Sequence, residues 1–98
     1  MRRVSYDELF RAFSNEIRRD ILRTLEEHDK CVMEIVKELR EDQTTISHNL
    51  QYLNRCGFIF VEKQGKKRIY KINERTVKPL MKIMEQHIQR MKDLENEI

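Results

Sequence analysis

The chain has 98 residues, enough for a single domain with one modest core. Charged residues make up 38% and hydrophobic residues 39%, which excludes a disordered chain or a membrane protein by composition. No apolar run approaches the ~18 residues that span a bilayer and no signal-peptide pattern opens the chain, so a cytoplasmic protein without a membrane partner is expected. The net charge of +3 is concentrated in the middle: residues 1–42 hold 9 basic and 11 acidic residues, 43–72 hold 6 and 1, and 73–98 hold 5 of each.

Val4 to Leu9 reads as a helix start. Ser5 and Glu8 have the spacing of a capping box, and Val4 and Leu9 that of a hydrophobic staple. The helix is expected to run to about Phe13 and to bury Leu9, Phe10 and Phe13. Ser14 would then cap a second helix reaching about Glu27, with Ile17, Ile21, Leu22 and Leu25 inward. His28-Asp29 is a short break. A third helix is expected from about Val32 to Arg40, with Val32, Ile35, Val36 and Leu39 as its stripe and Met33 also inward.

Three polar residues later, Asp42 opens another helix that Gly57 can stop. Ile46, Leu50 and Leu53 form one apolar stripe. The opposite face carries Gln43, Thr44, Ser47, His48 and Gln51, hydrogen-bonding side chains without a carboxylate among them. Such a face suits the edges of DNA bases, with Thr45 helping at the helix start through a backbone or phosphate contact. Two short helices joined by a tight turn form a helix-turn-helix pattern, placed at about residues 32–56. An ordinary helical hairpin is the competing reading.

The next residues favour the first. Phe58 to Glu62 is β-branched and aromatic, Gln64-Gly65-Lys66 is a turn, and Arg68 to Ile72 alternates polar and apolar. A β-hairpin at about 58–72 would thus follow the helix directly, with Lys63, Lys66, Lys67 and Arg68 at its tip. Lys66, Lys67 and Arg68 would contact phosphates as a wing. The last segment, Asn73 to Ile98, reads as a long helix capped by Asn73 or Thr76, occupying about 74–97. Val77, Leu80, Met84, His87, Met91, Leu94 and Ile98 recur at 3- and 4-residue steps, and Met81 and Ile88 widen the stripe. Val77, Leu80, Met84, His87, Met91 and Leu94 are the expected dimer contacts, since the domain is complete without this helix. The expected fold is therefore mainly α with a small β-hairpin, in the order α-α-α-α-β-β-α, a winged helix-turn-helix dimeric through its terminal helices.

From Phe13 to Asn73 the chain resembles the ArsR/SmtB family of winged-helix repressors. Phe13-Ser14-Asn15-Glu16-Ile17-Arg18-Arg19-Asp20-Ile21-Leu22 is similar to the family's Leu-Ser-Asp-Pro-Thr-Arg-x-x-Ile-Leu, with Glu16 at the usual proline. Gln43 to Leu50 resembles its Gln-Ser-Thr-Val-Ser-His-His-Leu recognition helix, and Gly65-Lys66-Lys67-Arg68-Ile69-Tyr70 its wing. The resemblance implies a homodimer that binds a palindromic operator on double-stranded DNA and represses transcription, often until an inducer binds; it leaves the small-molecule or metal inducer unspecified.

Cys31-Val32-Met33 stands where metal sensors of the family carry Cys-Val-Cys. A thioether does not replace a thiolate on Zn²⁺. Glu85-Gln86-His87 resembles half of the family's other metal set, whose second half would fall at or beyond Ile98. No metal and no cofactor are therefore expected. A metal- or redox-responsive repressor, the latter through Cys31 and Cys56, is a minor alternative. A winged-helix module that binds a protein partner is another, and the uncharged polar helix face opposes it because interface cores favour aromatics and Met. The chain shows no Gly-rich phosphate loop, nucleophile elbow or paired-carboxylate pocket, so an enzyme is not expected.

Overall fold

The computed structural model describes residues 4–97. The elements follow the expected order: α1 Tyr6–Ser14, α2 Glu16–Glu27, α3 Val32–Leu39, α4 Gln43–Arg55, β1 Ile59–Gln64, β2 Lys67–Ile72 and α5 Val77–Asn96. Ile98 lies outside the described residues.

Ser5 caps α1, its hydroxyl accepting from the Glu8 amide at 3.2 Å. The helix buries Ala12 and packs Leu9 and Phe13 against the core. Phe10 does not turn inward as expected; it is 67% exposed and stacks on Tyr6 at a centroid separation of 6.3 Å. The inward arc is Leu9, Ala12 and Phe13, at i, i+3, i+4, and Phe10 falls beside it. The α2 cap also differs. Ser14 stays helical and donates to the Arg11 carbonyl at 2.9 Å. Asn15, in extended backbone, supplies the cap instead by accepting from the Arg18 amide at 2.9 Å.

In α2, Ile21, Leu22 and Leu25 are buried. After His28 the chain extends, and Lys30 pairs with β2: its amide donates to the Tyr70 carbonyl at 3.1 Å, and the Tyr70 amide donates back at 2.8 Å. The Lys30 side chain turns into the protein and donates to the Thr24 carbonyl at 2.7 Å, with Glu27 at 3.3 Å and Glu38 at 3.2 Å. Buried ammonium groups require such partners. Thr24 in turn donates to Glu38, and this bond, followed by the one from Lys30, holds the Glu38 carboxyl below its ordinary value.

Ile35 of α3 is buried, with Val32, Val36 and Leu39 packed beside it. Met33 is 54% exposed rather than inward, because it sits off the arc that those four define. The helix stops at Leu39, one residue early. Arg40 adopts the left-handed conformation (φ 56°), and its amide closes the turn on the Val36 carbonyl at 2.9 Å. Ile46, Leu50 and Leu53 of α4 are fully buried, as expected.

β1 and β2 pair antiparallel from Ile59–Ile72 to Gln64–Lys67. The two-residue loop Gly65-Lys66 has positive φ only at Gly65 (61°), as in a type II′ turn. Phe58, Ile59, Tyr70 and Ile72 close the core, and Phe58 meets Phe13 at 5.0 Å between centroids. α5 begins later than expected. The Asn73 side chain accepts from the Arg75 and Thr76 amides at 3.2 and 3.3 Å, so residues 73–76 form a turn. Thr76 takes the cap position without a side-chain bond. Val77 and Met81 are buried, and Met84 is half-buried.

Burying each of Ile46, Leu50 and Leu53 stabilises by about 1.5–3 kcal/mol. Leu50→Ala should lower unfolding free energy by about 2–5 kcal/mol through the cavity it leaves, read by urea unfolding. A loss below about 1 kcal/mol would contradict the tight seating of α4.

Candidate nucleic-acid interface

Asp42 starts α4. One carboxylate oxygen accepts from the Thr45 amide at 3.2 Å and the other from the Thr45 hydroxyl. These two bonds, the hydroxyl first, hold the Asp42 carboxyl below its ordinary value. The helix dipole favours the same ionised form. With Ile46, Leu50 and Leu53 seated in the core, the rotation of α4 places its polar side outward.

Gln43, Thr44, His48 and Gln51 are exposed and Ser47 is half-buried. All five line one shallow depression. The structure thus brings together five of the six helix residues singled out in the sequence. Thr45 stands apart: it is half-buried, and its hydroxyl is engaged in the cap.

Two residues that hold α4 in place, Arg18 and Asn49, carry no signal in the helical spacing of the reading face. Asn49 is buried, accepts from Arg18 of α2 at 3.2 Å and donates to the Thr45 carbonyl at 2.9 Å. Arg18 also lies over the Tyr52 ring, 4.3 Å from its centroid. Only its place at the edge of the apolar arc of Ile46, Leu50 and Leu53 marks Asn49 as a polar residue that the core reaches.

The hairpin carries the cations. Lys63, Lys66, Lys67 and Arg68 are exposed. Lys63 pairs directly with Arg68 across the strands, an arrangement of like charges that costs stability unless an anion intervenes. Among the described residues no carboxylate lies within ion-pair distance of these four. Lys71, lower on the hairpin, differs: Glu62 at 2.8 Å and then Asp29 at 3.6 Å hold its ammonium above the ordinary lysine value. Lys67 and Arg68 line a shallow pocket with Cys31, Val32 and Met33, so the wing lies beside the start of α3.

Cys31 is half-buried and Cys56 buried, and among the described residues neither forms a disulfide. Among the described residues no three His, Cys, Asp or Glu side chains are grouped to hold a metal ion. Nor is any helix long and apolar enough to cross a membrane.

The stripe of α5 divides in two. Val77 is 4% exposed and packs into the protomer's own core, so it has almost no surface left for a partner. Met84 is half-buried, whereas Leu80, His87, Met91 and Leu94 are exposed, together with Ile83 and Ile88. α1 lies alongside: Val4 and Leu9 share one groove with Val77 and Leu80, and Phe13 shares another with Met81, Met84 and Ile88. Tyr6 and Phe10 of α1 are also exposed.

Residues 15–60 match the model of the bacterial regulatory protein, arsR family. An uncharacterized helix-turn-helix-type transcriptional regulator of Methanocaldococcus jannaschii is 36% identical over 80 residues, covering 81% of this chain and 90% of that protein. A crystal structure from Mycobacterium tuberculosis superposes with a TM-score of 0.85 at 23% identity, covering 91% of this chain and 90% of that one, and bears on the fold alone. The solution structure of a homodimeric winged helix-turn-helix DNA-binding domain from Mycobacterium bovis, a possible ArsR-family regulator, has a TM-score of 0.79 at 26% identity, over 92% of this chain and 82% of that one.

The depressed Asp42 carboxyl links the α4 cap to pH. Its folded pKa lies below the unfolded value of about 3.9, so the cap contributes fully above that value and is lost as pH falls through the folded one. The melting temperature of the wild type should therefore exceed that of Asp42→Ala most near neutrality, and the gap should narrow below about pH 4. A gap that stays constant from pH 7 to pH 3 would contradict the ionised cap.

Proposed function

This chain belongs to the ArsR family of winged helix-turn-helix transcriptional regulators, and we propose that it acts in the cytoplasm as a homodimeric repressor binding a palindromic double-stranded DNA site. The observation that carries this reading is the outward face of α4. Gln43, Thr44, Ser47, His48 and Gln51 share one surface without a carboxylate, and their amides, hydroxyls and imidazole match the donors and acceptors of base edges in the major groove. Lys66, Lys67 and Arg68 stand on the adjacent hairpin, where they neutralise phosphates and position the helix without reading sequence. Thr45 serves the helix start through the Asp42 cap.

The dimer is supported by exposed surface. The accessible area of 7499 Å² is well above the roughly 6,000 Å² expected of a monomeric globule of this mass. The excess includes the apolar residues of α5 and α1, too many to leave wet on a stable monomer. Leu80, Met84, His87, Met91 and Leu94 would meet the partner, joined by Ile88, Tyr6 and Phe10. The similar Mycobacterium bovis domain is described as homodimeric. A two-fold dimer presents its two recognition helices to half-sites one helical turn apart or a multiple of it. The family is one of regulators, and we assign the chain no catalytic role, no cofactor and no metal.

Selection of bound sequences from a random DNA pool should return a palindrome; recovery of no preferred sequence would remove the reading. In a salt titration, Lys67→Ala or Arg68→Ala should each lower the slope of log affinity against log salt by about 0.9. An unchanged slope would take the wing off the DNA. Gln51→Ala should relax preference at one or two base pairs while binding to random DNA holds; equal loss on both would contradict base reading. Met91→Glu with Leu94→Glu should convert the dimer to a monomer in sedimentation analysis, and an intact dimer would place the interface elsewhere.

A further inference from the structure

We propose that Arg18 is a positioning residue for sequence reading, setting the rotation of α4 about its own axis through Asn49 and Tyr52 without touching DNA. The inference rests on the reading of α4 as the helix that contacts base edges.

One guanidinium serves three helices. Its Nη2 donates to the Arg11 carbonyl at 2.6 Å and its Nε to the Ala12 carbonyl at 3.3 Å, both near the end of α1. Its Nη1 donates to Oδ1 of Asn49 at 3.2 Å, and its Cζ lies over the Tyr52 ring, 4.3 Å from the centroid, both on α4. Arg18 itself is fixed at the start of α2, where its amide donates to Asn15. Asn49 passes the constraint along α4 by donating to the Thr45 carbonyl at 2.9 Å, and Thr45 completes the Asp42 cap.

Helical geometry shows why an apolar stripe needs this help. Ile46, Leu50 and Leu53 hold α4 along one line, and non-directional contacts along a line resist rolling only weakly. Asn49 and Tyr52 lie roughly 60° and 120° round the helix from Ile46 in one direction. Gln43, Ser47, Gln51, Thr44 and His48 follow at roughly 60° to 200° in the other. Arg18 therefore grips the flank of α4 that these residues leave free, with Asn49 about 100° from the nearest of them, and its directional bonds resist rolling either way. A roll of about 15° would move a side-chain tip some 5–6 Å from the axis by roughly 1.5 Å, enough to break a base-edge hydrogen bond. Wing contacts to phosphates are longer-ranged and tolerate such a shift. Loss of the clamp should thus reduce discrimination between sequences and spare binding to DNA in general.

The test compares wild type, Arg18→Lys and Asn49→Ala on two duplexes, the sequence selected by the wild-type dimer and a scrambled version of it. Lysine keeps the charge but lacks the planar fork that spans α1 and α4 together. Asn49→Ala removes the α4 acceptor and the bond to the Thr45 carbonyl, and leaves Arg18 on α1 and Tyr52. Affinities are measured at low salt, well below each variant's melting temperature, which circular dichroism supplies. The affinity ratio between the two duplexes should fall about tenfold in both variants, a loss of one or two base contacts. Affinity for the scrambled duplex should stay within about twofold. A ratio equal to wild type in either folded variant, or equal loss on both duplexes, would overturn the positioning role. Wild type that fails to distinguish the duplexes would instead remove the reading of α4, and this inference with it.

Discussion

The guanidinium of Arg18 donates to carbonyls at the end of α1 and to Asn49 of α4 while stacking on Tyr52. Three helices meet at that point, and the useful surface of the molecule depends on their meeting. A helix that reads DNA must be held from behind only, because anything packed on its outward side would block the bases. α4 satisfies this with three fully buried apolar residues and one polar clamp. The apolar residues supply the binding energy of the helix to its domain, since burial is favourable but non-directional. The clamp supplies direction, since hydrogen bonds weaken steeply off their geometry.

A second polar centre holds the wing. The Lys30 ammonium enters the protein and finds Thr24, Glu27 and Glu38, while its backbone pairs with Tyr70 of β2. A two-stranded hairpin is marginal alone in water. Here it gains a two-bond backbone bridge to Lys30 and, through the Lys30 side chain, an anchor to α2 and α3. The charges then sort by position along the hairpin. Lys71 near the base is neutralised by Glu62 and Asp29, whereas the four cations toward the tip face solvent. Cations left unpaired side by side are costly in isolation and productive against phosphate.

α5 extends the same logic to assembly. Its first turns carry Val77 and Met81 into the core, and its later turns present Ile83, Ile88, Met91 and Leu94 outward. One helix thereby belongs to the domain at one end and offers itself to a partner along the rest. In the proposed dimer, that surface would set the distance between the two copies of α4.

Much of this was legible in the chain. Capping residues, 3- and 4-residue apolar steps and the Gly65 turn determined the number, order and kind of elements, because each rests on local geometry. The face of α4 was legible too, since Ile46, Leu50 and Leu53 decide which side is buried and so which side is free. Local spacing was not enough where neighbours compete. Phe10 and Met33 are apolar yet exposed, because other residues of their helices already fill the inward arc. Asn15 displaced Ser14 as a cap because the end of α1 retained the serine hydroxyl. No spacing in the chain marks Lys30 or Arg18 as inward, and only the packing of α2 against α3, α4 and β2 gives them partners inside the fold. Buried polar groups are specified by partners distant in sequence, which no periodicity records; apolar stripes are specified by their own helix, which is why the chain alone disclosed the outward face of α4 and only the tertiary structure disclosed the polar contacts behind it.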